Sequence, residues 1–348
     1  MVDMNKETFT ASWIDNLISW INQLPIPAWL FYMIAYLLLI LLVHVTAWTS
    51  GIIPFGSFGP FAIQLPIWLI LPLAYIHYLD RVAQQAMKKF HPAVNINATE
   101  FNVLTYQMST MPTRPIWVMT GIGSVLSVAL VVINPAIFQP LSKTTLRVVI
   151  LLAIGIPTGW FGWSFLYHTV RQLRMVNNMH KRIEAINLFD LEPIHAFSLL
   201  TARTSVVLIV LVGLATILNT VLELREVNDL LLLLFATLIS MLAIATFAIP
   251  LWGIHERLVE EKQRIEAENN RRIVVALFEL HRRMDDTDYE DMSQFRNGIS
   301  GLLSFRAELK QVSTWPWQPG TLRGLLTAVF LPIILWTIQQ SLSQIMDY

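Results

Sequence analysis

No cysteine occurs anywhere in the 348 residues. That excludes disulfides, thiolate metal sites and cysteine nucleophiles, and leaves the redox compartment open. Charge is scarce as well. Asp, Glu, Lys and Arg make up 14% of the chain, where a soluble domain carries about 25%. The charges balance, 24 basic against 24 acidic, so no bulk attraction to nucleic acid is implied. The first 26 residues are too polar to form the apolar core of a cleavable signal peptide, and insertion through the first span is the simpler expectation. A glycine-rich phosphate loop and a G-x-S-x-G elbow are both missing. His255-Glu256 lacks the second histidine of a zinc-protease motif. Glu192-Pro-Ile-His195 has the E-x-x-H spacing of di-iron bundles. Such a site needs a second copy and two more carboxylates, which the sequence does not offer. Neither an enzyme nor a resident metal or cofactor is expected.

What the chain has in quantity is apolar sequence, 55% of its residues, with a mean hydropathy of +0.54. The expected fold class is all-α, a polytopic membrane protein of about seven transmembrane helices. The spans fall at about 28–49, 61–79, 115–138, 147–168, 204–223, 230–253 and 324–343, each near the ~20 residues a bilayer requires. Pro66 and Pro72 interrupt the second, as Pro157 and Pro250 do the fourth and sixth. Residues 1–26 form an N-terminal segment in which Trp13, Leu17, Trp20, Ile21 and Leu24 share one helical face. That pattern suits a helix lying in the membrane interface or one packed on the bundle.

Basic residues set the expected orientation. With the N-terminus inside, Lys143, Arg147 and Arg225 are the only Lys or Arg outside. The positive-inside rule then makes the N-terminus cytoplasmic, and a bacterial plasma membrane is the expected location. Asn97-Ala98-Thr99, a glycosylation sequon by pattern, would face the cytoplasm and stay unused.

The domain division places a six-helix membrane domain at 27–253, a polar segment at 254–323 and a final helix and tail at 324–348. The polar segment reads as a cytoplasmic antiparallel helical hairpin. Leu258, Ile265, Ile273, Leu277, Leu280 and Met284 follow near-heptad spacing, weakened in the middle by Lys262 and Asn269. The first arm is expected to stop at Asp285-Asp286, and Thr287 with Glu290 forms a capping box for the second. At its base, Trp315 and Trp317 are candidate anchors at the membrane–water boundary.

A two-helix repeat is suggested by shared landmarks. Pro72 to His77 and Pro250 to His255 both read P-L-x-x-I-H, and Tyr167-His168 ends the fourth span. His77, His168 and His255 are candidate interfacial histidines. In the odd spans a lone polar residue recurs, at His44, Asn134 and Asn219. These three are candidates for one polar layer, with interhelical hydrogen bonding as the plain alternative. The predicted span cores contain no Asp, Glu, Lys or Arg, which argues against a proton-coupled carrier. Two functions follow. One is an oligomeric channel or passive pore, a homo-oligomer in the lipid bilayer with a hairpin for assembly or gating. The other is a non-transporting scaffold or sensor that engages a cytoplasmic protein partner through 256–312.

Overall fold

The computed structural model describes residues 9–133, 148–183, 186–221, 229–286, 292–317, 320–327 and 330. Its elements are helices throughout: α1 Trp13–Gln23, α2 Ala28–Thr49, α3 Pro60–Phe90, α4 Ala98–Ser109, α5 Thr113–Ile133, α6 Ile156–His180, α7 Glu192–Val221, α8 Asp229–Asp285 and α9 Met292–Gln311. A π-turn, Leu151–Gly155, leads into α6. Among the described residues the sole β feature is an isolated bridge between Ala11 and Pro112.

Among the described residues six helices are long and apolar enough to cross a bilayer: Ala28–Thr49, Ala62–Ala93, Thr113–Leu130, Val148–His180, Glu192–Ala215 and Ser240–Asp285. The chain is an all-helical, multi-pass membrane protein. Its exposed surface agrees, since Leu37, Leu38, Leu41 and Leu42 on α2 and Val125 and Val132 on α5 are exposed. A row of bare leucines is costly in water and costs nothing against lipid tails. The predicted seventh span, 324–343, lies for the most part outside the described residues, as does the Thr287–Glu290 cap.

The helices that carry the second, fourth and sixth spans continue past the apolar window. The second stops at 79 by hydropathy, yet α3 runs on to Phe90. The fourth likewise continues to His180, and the sixth passes without a break into the polar segment as the 57-residue α8. The expected boundary at 253/254 is therefore a change of surface chemistry within one helix. These extensions are amphipathic, and their apolar faces meet. Ile76, Leu79, Ala83, Met87 and Phe90 of α3 pack with Val176 and Met179 of α6, Phe197 and Leu200 of α7 and Met108 of α4 in one buried core. Phe90, Phe197 and the ring of His180 meet at 4.7–6.1 Å between centroids. This buried core lies at the end of the spans that carries the hairpin, called here the stalk end.

Helix α1 belongs to this core. Ile14, Ile18 and Ile21 are buried and Trp20 is exposed, so α1 packs on the bundle. Ser12 and Asp15 form its capping box. Asn97 of the sequon is a cap as well, its side chain accepting from Glu100 N at 2.7 Å to start α4. Between spans, α5 and α6 touch backbone to backbone at Gly123 and Gly159, where a Cβ on Gly123 would lie 2.5 Å from the Gly159 carbonyl oxygen.

In the hairpin, α9 returns antiparallel along α8. The two weak positions of the seam prove to be bonded ones. Asn269 is buried and donates to the Leu302 carbonyl at 3.1 Å. Lys262 Nζ donates to the carbonyls of Lys310 and Val312.

Candidate functional site

Asp80 lies twenty residues into α3, about 30 Å from its start by helical rise and so one bilayer thickness away. It shares the buried face of α3 with Ile76, Ala83 and Met87 and is itself 5% exposed. A carboxylate on that face needs partners, because burying an unpaired charge costs several kcal/mol. α6 supplies them. His168 Nε2 is 2.7 Å from Asp80 Oδ1, and Gln172 Nε2 donates to the same oxygen and to the Met108 carbonyl, each at 3.2 Å. His168 and Gln172 follow one another at i, i+4, so one face of α6 presents both.

The pairing fixes the chemistry of the ring. An ionised Asp80 can only accept, so Nε2 carries the proton of that bond, and a neutral ring would present a lone pair at Nδ1. Around this pair sit further ionisable groups. Asp15 of α1 and Arg171 of α6 act on Asp80 through space. Asp15 Oδ2 accepts from Ser12 N at 2.9 Å, Ser12 Oγ at 2.6 Å and Met111 N at 3.0 Å. Burial pushes the Asp15 carboxyl above its ordinary 3.8, and those hydrogen bonds pull it back down. Arg171 donates to the Thr110 carbonyl at 2.7 Å and places its guanidinium over Phe9.

The structure distributes the candidate histidines among three different settings. His77 is buried, with Tyr32 Oη 3.0 Å from Nδ1 and Asn22 Oδ1 3.0 Å from Nε2. Arg81 donates to the same Asn22 oxygen. His168 faces Asp80. His255 donates from Nδ1 to the Thr314 carbonyl at 2.9 Å and stacks on Trp315 at 3.8 Å, nearly coplanar. Trp315 in turn stacks on Trp317 at 4.5 Å, and Phe247 lies 5.2 Å from Trp317. The tryptophans therefore clasp the chain after α9 to the side of α8. Trp315 keeps 39% of its surface exposed.

Of the suggested polar layer, His44 is buried, and both ring nitrogens are engaged within the α2–α3 hairpin. Nδ1 meets the Ile40 carbonyl at 2.9 Å, and Nε2 accepts from Gly59 N at 3.2 Å. Asn134 and the Asn219 side chain lie outside the described residues. Among the described residues no three His, Asp or Glu converge as metal ligands. Glu192 of the E-x-x-H sits 3.8 Å from Lys89 in an exposed pair.

Sequence reading missed Asp80 and Gln172. The signal was present: Asp80 falls one turn after Ile76 and His77, on the apolar stripe 76, 79, 83, 87. Its place one residue past the hydropathy window hid it. No protein-family model, curated protein or solved structure matches the chain.

Proposed function

We propose that this chain is a membrane channel or passive pore. It assembles as a homo-oligomer in the bilayer, with its permeation path controlled at the stalk end of the spans. The supporting observation is the buried Asp80–His168–Gln172 cluster. Ionisable side chains inside a membrane bundle are costly and mark ion paths or relays. Here one is buried between helices at the stalk end of the spans, one bilayer thickness along α3, where the mouth of such a path would lie. In this reading the α8–α9 hairpin stands in the cytoplasm as an assembly or gating element. A seventh span at 324–343 completes the membrane domain, built from repeated two-helix units. The basic loops support an N-terminus inside, and a bacterial plasma membrane is the location in this reading. The experiment is flux of common ions through purified protein in liposomes, comparing wild type with Asp80→Asn. Conductive flux that the variant reduces supports the pore; absence of any flux above empty vesicles overturns it.

A second reading, a scaffold or sensor that binds a cytoplasmic protein, is favoured by the outer face of α8. Val274, Val275 and Phe278 are each more than 60% exposed. Beside them a shallow groove is lined by Arg271, Arg272, Glu279 and Phe295. Replacement of 256–312 by a short linker would abolish a partner in this reading and leave none to lose in the first.

A further inference from the structure

The face of α6 that meets Asp80 carries more polar atoms than the fold uses. Ser164, His168 and Gln172 succeed one another at i, i+4, i+8, and Thr169 stands beside His168. All four are at most 3% exposed. Ser164 Oγ, His168 Nδ1, Thr169 Oγ1 and Gln172 Oε1 have no hydrogen-bond partner in the protein. The contrast with α7 is informative. There the buried Thr201, Thr204 and Ser205 each return their hydroxyl to a carbonyl of their own helix. An orphaned buried polar atom is costly if left dry, and a cluster of them is the setting in which proteins hold internal water. Ser164 to Gln172 spans about 12 Å along the helix. Further along the same face, Trp160 Nε1 donates to Ser124 Oγ at 2.7 Å, and Ser127 packs against Gly159. Polar groups therefore continue up the α5–α6 seam.

We propose that this row is a hydrated proton path ending at the Asp80–His168 pair, so that the ion the protein conducts is the proton. The inference rests on the pore reading above and names its permeant species. The step balances at the ring. A proton delivered by water forms an N–H bond at His168 Nδ1. The Nε2–H bond breaks, and that proton forms an O–H bond on the Asp80 carboxylate. The pair then holds one added proton, His168 has exchanged tautomers and Asp80 is neutral. The groups facing the pair are Gln172 and Arg171 of α6, Asp15 of α1 and Tyr32 of α2. His77 and Arg81 stand next along α3. Arg171 and Asp15 act on Asp80 in opposite senses.

The test uses full-length protein in liposomes enclosing a pH dye, with a potassium diffusion potential as the driving force. Wild type is expected to acidify the lumen faster than empty vesicles. His168→Gln removes the exchangeable ring and should slow that rate about tenfold or more. Thr169→Val supplies the second readout. It keeps shape and removes one orphan hydroxyl, so a merely structural row would leave flux unchanged. A water row loses a bridging group, and its flux falls at unchanged thermal stability. Proton flux equal to empty vesicles, while the same vesicles pass potassium or chloride, overturns the inference and leaves the pore standing. No flux of any ion overturns both. Proton flux that neither variant alters overturns the assigned path.

Discussion

Lys262 Nζ reaches across the hairpin to the carbonyl of Val312 at 2.8 Å, and to that of Lys310 at 3.0 Å. The last carbonyls of a helix have no partners within it and form the negative end of its dipole. A lysine from the facing arm therefore ends α9, a role no apolar residue could fill. Lys262→Met should leave α8 intact and free the end of α9. Hydrogen bonds to a charged donor are worth about 1.5–3 kcal/mol. Limited proteolysis near Ser313 is expected to accelerate in Lys262→Met and much less in Lys262→Arg.

Arg257 does the same for α6, donating from Nη1 to the His180 carbonyl and from Nη2 to that of Ile183, both at 2.6 Å. The two bonds need a planar fork. Arg257→Lys retains the charge and can serve one carbonyl well, so it should cost about 1–2 kcal/mol. Thermal unfolding in detergent measures it; equal midpoints for Arg257→Lys and wild type would rule out the fork.

Gly159→Ala and Gly123→Ala should both separate α5 from α6. In each the new methyl meets backbone of the other helix, which cannot rotate away. Overpacking of this kind costs about 1–3 kcal/mol. Gly162 has open space around the corresponding position, so Gly162→Ala is the control and should be neutral or slightly stabilising.

Asp15 gives a pH effect of defined sign. Its carboxyl is raised by burial, so the folded state favours the protonated form. The associated cost is present at neutral pH and is relieved as pH falls toward the ordinary carboxylate range. Asp15→Asn keeps an acceptor for Ser12 N and Met111 N and should flatten that part of the stability–pH profile. Asp15→Ala leaves Met111 N unmet, while Ser12 N keeps the Met111 carbonyl at 3.0 Å, and should destabilise at every pH, by about 1–3 kcal/mol. Melting curves from pH 4 to 7 separate the two.

Much of the helical layout could be read from periodicity and hydropathy. α2 starts and ends where the apolar run does, and α8 stops at Asp285 as its acidic pair suggests. That the spans continue as helices was legible in the connectors as well; which face of each continuation is buried was harder to read. Hydropathy reports where lipid ends, whereas α3, α6 and α8 continue because their polar extensions keep one apolar face. The same distinction hid Asp80, which looks solvated by position and is buried by its neighbours. Lys262 and Asn269 looked like faults in a seam because their partners are backbone carbonyls, which leave no trace in side-chain pattern. The pairing of His168 with Asp80 spans 88 residues, and no local spacing could announce it.

One mechanical consequence follows from the continuity of α8. From Ile254 to Asp285 it forms an arm about 48 Å long, fixed near its base by Arg257 on α6 and by the His255–Trp315 stack. Pro250, inside the helix just before that base, removes one backbone donor and softens the ladder there. The arrangement is a lever with its fulcrum at the membrane. A tilt of about 5° at Pro250 carries the tip through roughly 4 Å. Paired spin labels at the tip and on α6 should show a narrower distance distribution in Pro250→Ala. Whatever seizes the tip applies torque beside the C-terminus of α6, two turns from Gln172, so a weak grip at the tip becomes a strong one on the helix that holds His168.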